Sequence, residues 1–166
     1  MFEKDKMAEE SKLKELKKEY AKLKEKYELP EFEELNKEFE IEKLQEYETD
    51  ILLKNIRKTM AEKVLALIHF LEFFINPTGA PMFILAMTRN LKENTKKAIE
   101  EAYKKGCEIE IKSLSIDLFY DEKKEIEFIH EFIEEWEEIK NMIKGLPDDL
   151  IKAWEVSEKK EKNYLG

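Results

Sequence analysis

Cysteine is nearly absent from this 166-residue chain: Cys107 stands alone, which rules out an internal disulfide and any zinc site built from several thiolates. Four glycines, at 79, 106, 145 and 166, are too few and too scattered for a phosphate-cradling P-loop or a GxGxxG turn. Four prolines and four glycines also argue against a many-turned β architecture. Arginine is confined to Arg57 and Arg89, the remaining basic residues being lysine, a solvated point charge poorly suited to bidentate reading of phosphate or base edges. The longest apolar run, 64–75, is 12 residues long and carries His69 and Glu72, too short and too polar for a bilayer-spanning helix. The first residues, MFEKDKMAEESKLKELKK, are charged throughout and lack the apolar core of a signal peptide, so the expectation is a cytoplasmic protein with no membrane span.

What is abundant is charge. Thirty Lys+Arg oppose 39 Asp+Glu, a formal net charge of −9, and 42% of residues are charged against about 25% in an average soluble protein. Apolar residues also reach 42%, enough to build a core, so the charge describes a solvated surface and not disorder.

Helical spacing dominates. Leu13, Leu16, Tyr20, Leu23 and Tyr27 recur at intervals of 3 and 4, the a/d seam of a coiled coil, on a helix that Leu29-Pro30 stops. One narrow seam needs a partner, in this chain or in a second one. A long helical pattern follows over about 40–75, with Leu52, Leu53, Ile56, Met60, Leu67, Phe70, Leu71 and Phe74 in one sector. Asn76-Pro77-Thr78-Gly79-Ala80-Pro81 breaks it, and a helix from Pro81 towards a C-terminal cap at Gly106 completes a hairpin with a hydrophobic closed end: Phe73, Phe74, Met82, Phe83, Met87.

Residues 107–119 fit either of two patterns. Ile109, Ile111, Leu114, Ile116 and Leu118 alternate like a short β-hairpin with a slip, while Cys107, Ile111, Leu114 and Leu118 keep a 4, 3, 4 helical spacing; the helix is the preferred reading. Asp121 then caps a helix to about Lys144 with Ile126, Ile129, Ile133, Trp136 and Ile143 as its seam, widened by Phe128, Phe132 and Ile139. Gly145-Leu146-Pro147 separates it from a last helix carrying Leu150, Ile151 and Trp154. The expected architecture is an all-α helical bundle with an extended N-terminal coiled-coil-like helix (1–29), a bundle domain (30–160) and a frayed tail (161–166).

Three functional readings compete. Glu127 and His130 have the Glu-x-x-His spacing of di-iron bundles and His69 with Glu72 reverses it, so a metal-dependent bundle enzyme is one alternative. Only one such motif exists, and a helical wheel puts Glu127 on the solvent side, so the expectation is no metal and no cofactor. A nucleic-acid-associated regulator is a second alternative, weakened because lysines at the N-terminus and over 92–105 alternate with glutamates and form no single-sign stripe. Trp136, inside Glu134-Glu135-Trp136-Glu137-Glu138, could anchor a basic partner, although its spacing from Ile129 and Ile133 already explains it as core. The favoured reading is a non-enzymatic helical interaction module (an adaptor, assembly factor or regulatory subunit) that pairs with itself or with another protein through the N-terminal seam and the hydrophobic hairpin.

Overall fold

The computed structural model describes residues 2–47 and 51–164, with side chains placed over 10–47 and 51–158. Among the described residues the chain is all helix: α1 (Phe2–Tyr27), α2 (Phe32–Phe39), a 3₁₀ turn (Ile41–Glu46), α3 (Leu52–Ile75), α4 (Met82–Asn90), α5 (Glu93–Leu118), α6 (Glu122–Met142) and α7 (Leu146–Tyr164). It divides into two compact units, one made of Met1–Lys63 with Ile111–Ile133 and the other of Val64–Glu110 with Glu134–Gly166. Residues 1–29 thus group with α2, the first half of α3, the end of α5 and the start of α6.

In the first unit α1 packs on α2 and on the 3₁₀ turn. Leu16 and Tyr20 are buried, and the Tyr20 hydroxyl donates to the Pro30 carbonyl oxygen at 2.7 Å while its ring meets Phe32 edge-on at 5.4 Å. Burial, and then the neighbouring carboxylates Glu31, Glu34 and Glu33, push the Tyr20 phenol well above its ordinary range. The N-terminal seam is therefore covered in part from within, with Leu13, Leu23 and Tyr27 left half-buried.

Two expected helices are shorter than their patterns. The run expected over 40–75 is α-helical only from Leu52: Glu40 is left-handed (φ 55°), its N–H bonding the Asn36 carbonyl at 2.8 Å while Asn36 Oδ1 accepts the Glu42 N–H at 2.8 Å, Ile41–Glu46 form a 3₁₀ turn, and Tyr47 is extended. Neither proline nor glycine marks this stop. The helix expected from Pro81 to Gly106 breaks at Leu91, an extended residue whose side chain is buried.

The opposite error occurs at Gly106. It was expected to end a helix, yet α5 runs through it, and no strand occurs over 107–119. A Cβ at Gly106 would stand 2.8 Å from Ile68 Cγ1, so the glycine serves close approach between α5 and α3 in the second unit, not a cap. The buried face of α5 reads Thr95, Ile99, Ala102, Gly106, Ile109, Ser113, Ile116, an unbroken 4, 3, 4, 3, 4, 3 series. Ile111, Leu114 and Leu118, the expected seam of this segment, lie on the other side and are exposed. At the other end of the chain α7 continues to Tyr164, past the tail expected from 161.

Capping at α6 follows the sequence. Asp121 Oδ1 accepts the Lys123 N–H at 2.9 Å and opens α6. Its buried face is Glu125, Phe128, Ile129, Phe132, Trp136 and Ile139, so Trp136 is core; Ile126, Ile133 and Ile143 sit at the margin. No described helix is long and apolar enough to cross a membrane.

Candidate functional site

The second unit carries a groove that its own core does not fill. Six apolar side chains line it, Phe83 and Met87 from α4 and Pro147, Leu150, Ile151 and Trp154 from α7, around a volume of about 680 Å³. α4 and α7 are held together beside it by a polar clasp. Asn90 Nδ2 donates to Ser157 Oγ at 2.7 Å and to the Ala86 carbonyl at 3.0 Å, and Ser157 Oγ stands 3.0 Å from the Ala153 carbonyl. Ala86 and Ala153 are small enough to let the two backbones approach. A hydrogen bond from Thr95 Oγ1 to Asp149 Oδ2 at 2.6 Å fixes the start of α7 against α5.

Within the groove Phe83 and Trp154 meet edge-on, ring centroids 6.4 Å apart at 78°. Packing against each other does not hide them: Phe83 is 49% exposed, Trp154 40% and Ile151 59%. Aromatic rings half-covered in a concave, uncharged setting have apolar area still to bury, at roughly 25 cal/mol per Å². Nothing in the groove is a nucleophile, an acid or a base, so what it can do is bind.

The hairpin residues expected to act together are divided by the structure. Phe74 and Met87 point inward, while Phe73, Met82 and Phe83 are exposed, Met82 at 80%. Their groove partners on α7 were visible only as residues of a last helix; no periodicity within one segment can announce that 83 and 87 pair with 150, 151 and 154.

The residues of the metal alternative are placed as follows. His69 and Glu72 are exposed on α3. His130 is exposed on α6 and its Nε2–H donates to the Tyr27 carbonyl oxygen at 3.0 Å, while the exposed Glu127 lies 3.6 Å from Lys123 Nζ. Among the described residues, no group of three or more His, Cys, Asp or Glu side chains is arranged to hold a metal ion.

A polar cluster that the sequence reading missed lies in the first unit. Arg57 is fully buried, its Nε donating to Glu125 Oε1 at 2.9 Å, Nη1 to Ser113 Oγ at 2.5 Å and Nη2 to Asp117 Oδ1 at 2.6 Å. Glu125 is also fully buried, and its second oxygen has no hydrogen-bond partner. Partial burial works against ionisation of Asp117, but the Arg57 hydrogen bond and charge, with Lys58 and Lys54 beyond, hold its carboxyl below the usual range. A depressed folded-state pKa contributes stability above the ordinary carboxylate pKa, about 4, and that contribution fades as pH falls through the lower folded value. Urea titrations from pH 6 down to pH 2 should therefore show Asp117→Asn less stable than wild type at pH 6, with the gap closing at the acid end. A constant gap would remove the Asp117 charge from the account.

Compared with family models, with characterised proteins and with solved structures, the chain finds no match in any of the three.

Proposed function

We propose that this chain is a helical protein–protein interaction module, an adaptor, assembly factor or regulatory subunit of the cytosol, that takes the apolar face of a partner helix between α4 and α7. The observation that carries this reading is the groove itself: six apolar side chains on two helices around about 680 Å³, uncharged in a chain that is 42% charged. Amphipathic helices dock in such grooves through anchors one turn apart, and paired aromatics are the residues that most often dominate the resulting affinity. The methionine at position 87 adds a polarizable floor that adapts to different side chains. Docking a protein helix also suits this surface better than nucleic acid, since arginine is scarce and the lysines alternate with glutamates.

The test is capture from an extract of the native host by the immobilised full chain, followed by titration of the captured protein. Phe83→Asp and Trp154→Asp should each weaken binding by about 2 kcal/mol or more, roughly thirtyfold, with helical content unchanged because both side chains are partly solvated already. Lys18→Glu, on the exposed face of α1, should bind as wild type. Equal binding by the groove variants would reject the reading.

A further inference from the structure

From Phe73 to Thr88 the chain carries no charged residue, although 42% of its residues are charged. The middle of that run joins α3 to α4 in the second unit and is open to solvent, every residue from Ile75 to Gly79 being exposed. Large apolar side chains flank it: Phe73 is 39% exposed, Ile75 38% and Met82 80%. We propose that this tip enters the headgroup–acyl boundary of a lipid bilayer, docking the chain on a membrane surface that it does not span. The inference goes beyond the helix-binding role, uses residues outside the α4–α7 groove and stands whether or not that groove is occupied.

Three observations favour a bilayer over a protein surface. The first is charge. A protein interface closes with a polar, charged rim, whereas hydrocarbon rejects charge. Glu72 and Arg89 are the first charges on either side of the tip. Glu72 lies about 4.5 Å along the helix axis from Ile75, which leaves it among the headgroups when the tip enters the roughly 5–10 Å that interfacial segments reach. The second observation is the backbone, which already satisfies most of its own donors, as a poorly hydrated setting demands. Asn76 N–H donates to the Glu72 carbonyl at 2.8 Å, Thr78 N–H to Asn76 Oδ1 at 3.4 Å and Ala80 N–H to the Pro77 carbonyl at 3.0 Å. Pro77 and Pro81 have no N–H to satisfy. Of residues 76–81, only Gly79 keeps an N–H without a partner among the described residues. The third observation is size. The connection with one adjoining turn of each helix offers fewer residues than the roughly 20–30 a side of a stable protein interface, so a second copy meeting it tip to tip would hold poorly. A fluid bilayer needs no matching surface. The net charge of −9 disfavours anionic lipid, so the surface that fits is zwitterionic.

The test uses the purified full chain and vesicles of phosphatidylcholine. In a Cys107→Ser background, an environment-sensitive fluorophore on Met82→Cys should shift to the blue when vesicles are added, and quenchers in the upper acyl chains should dim it. The same fluorophore on Lys18→Cys should do neither. In the unlabelled chain, Met82→Asp should lower the vesicle partition coefficient by about tenfold and Met82→Trp should raise it, with circular dichroism unchanged in both. Added phosphatidylserine should not strengthen binding, and added salt should not release it. Ile151→Asp, which alters the groove, should partition as wild type, so failure of the groove and failure of the tip are told apart. No binding to vesicles, binding indifferent to Met82→Asp, or binding that needs phosphatidylserine and vanishes in salt would each overturn the proposal. A fluorophore on Met82→Cys that responds to a protein extract but not to vesicles would overturn it too, and would assign the tip to a protein.

Discussion

Arg57→Leu should be among the most damaging single substitutions in this protein, costing about 3–5 kcal/mol in urea unfolding. The loss comes less from the removed hydrogen bonds than from what stays behind. Glu125 is fully buried and one of its oxygens already lacks a partner, so without the guanidinium a carboxylate would be stranded among Phe128, Ile129 and neighbouring core. Arg57→Leu/Glu125→Leu should recover most of that loss, because replacing both members of a buried pair by apolar groups is often close to neutral. Recovery identifies the stranded charge as the cause. If the double variant is as weak as the two single ones added together, the pair is not coupled and Arg57 acts through packing alone.

Gly106→Leu should be the other large effect. A leucine at an interior helical position gains helix propensity over glycine by up to about 1 kcal/mol. Against that gain, even its first carbon would sit 2.8 Å from Ile68 Cγ1 and 3.4 Å from Val64 Cγ1, and overpacking of this kind costs about 1–3 kcal/mol, occasionally more. The rest of the side chain deepens the collision, so a net loss is expected. Ile68→Ala on the Gly106→Leu background should be less harmful than Ile68→Ala in wild type, since the larger residue fills the space the smaller one vacates. Gain of stability in Gly106→Leu would show that α3 and α5 are free to move apart there.

Much of the fold could be read from spacing because the stops are chemically loud. Pro30, the Asn76–Pro81 break and Gly145-Leu146-Pro147 separate helices where they were expected to. The breaks at Glu40 and Leu91 were silent, since they go with the Asn36 side chain holding the Glu42 N–H of the turn beyond its helix and with burial of Leu91, neither of which any breaker residue announces. The choice of face on α5 failed for a related reason. Its true core series includes Thr95, Gly106 and Ser113, which score as polar or as a cap, whereas the solvent side carries Ile111, Leu114 and Leu118. Hydrophobic periodicity selects the greasier stripe; packing selected the one with small residues that allow close approach.

Arg57 and Glu125 left a faint trace of the same kind. Arg57 falls in register with the buried Met60, Ala61, Val64 and Ile68, and Glu125 with Phe128, Ile129, Phe132 and Trp136. A charged residue of opposite sign on each of two apolar stripes is a pairing signal, and one of the chain's two arginines was the place to look. On α3 the real stripe is rotated towards Arg57, Ala61 and Ile68 relative to the expected sector, which also accounts for Lys63 and Phe70 being exposed. For the groove, the hairpin supplied Phe83 and Met87, but the α7 half required tertiary pairing.

Function as a helix-binding module requires that a partner seat between α4 and α7. The most direct measurement places a photoreactive amino acid at Ile151, 59% exposed on the wall of the groove, and a control at Lys18 on α1, then irradiates the full chain in an extract of its host. A defined adduct from position 151, absent from position 18 and lost in the presence of Trp154→Asp, is the predicted result. Adducts of equal yield from both positions, or none from 151 while the protein still captures its partner, would contradict it.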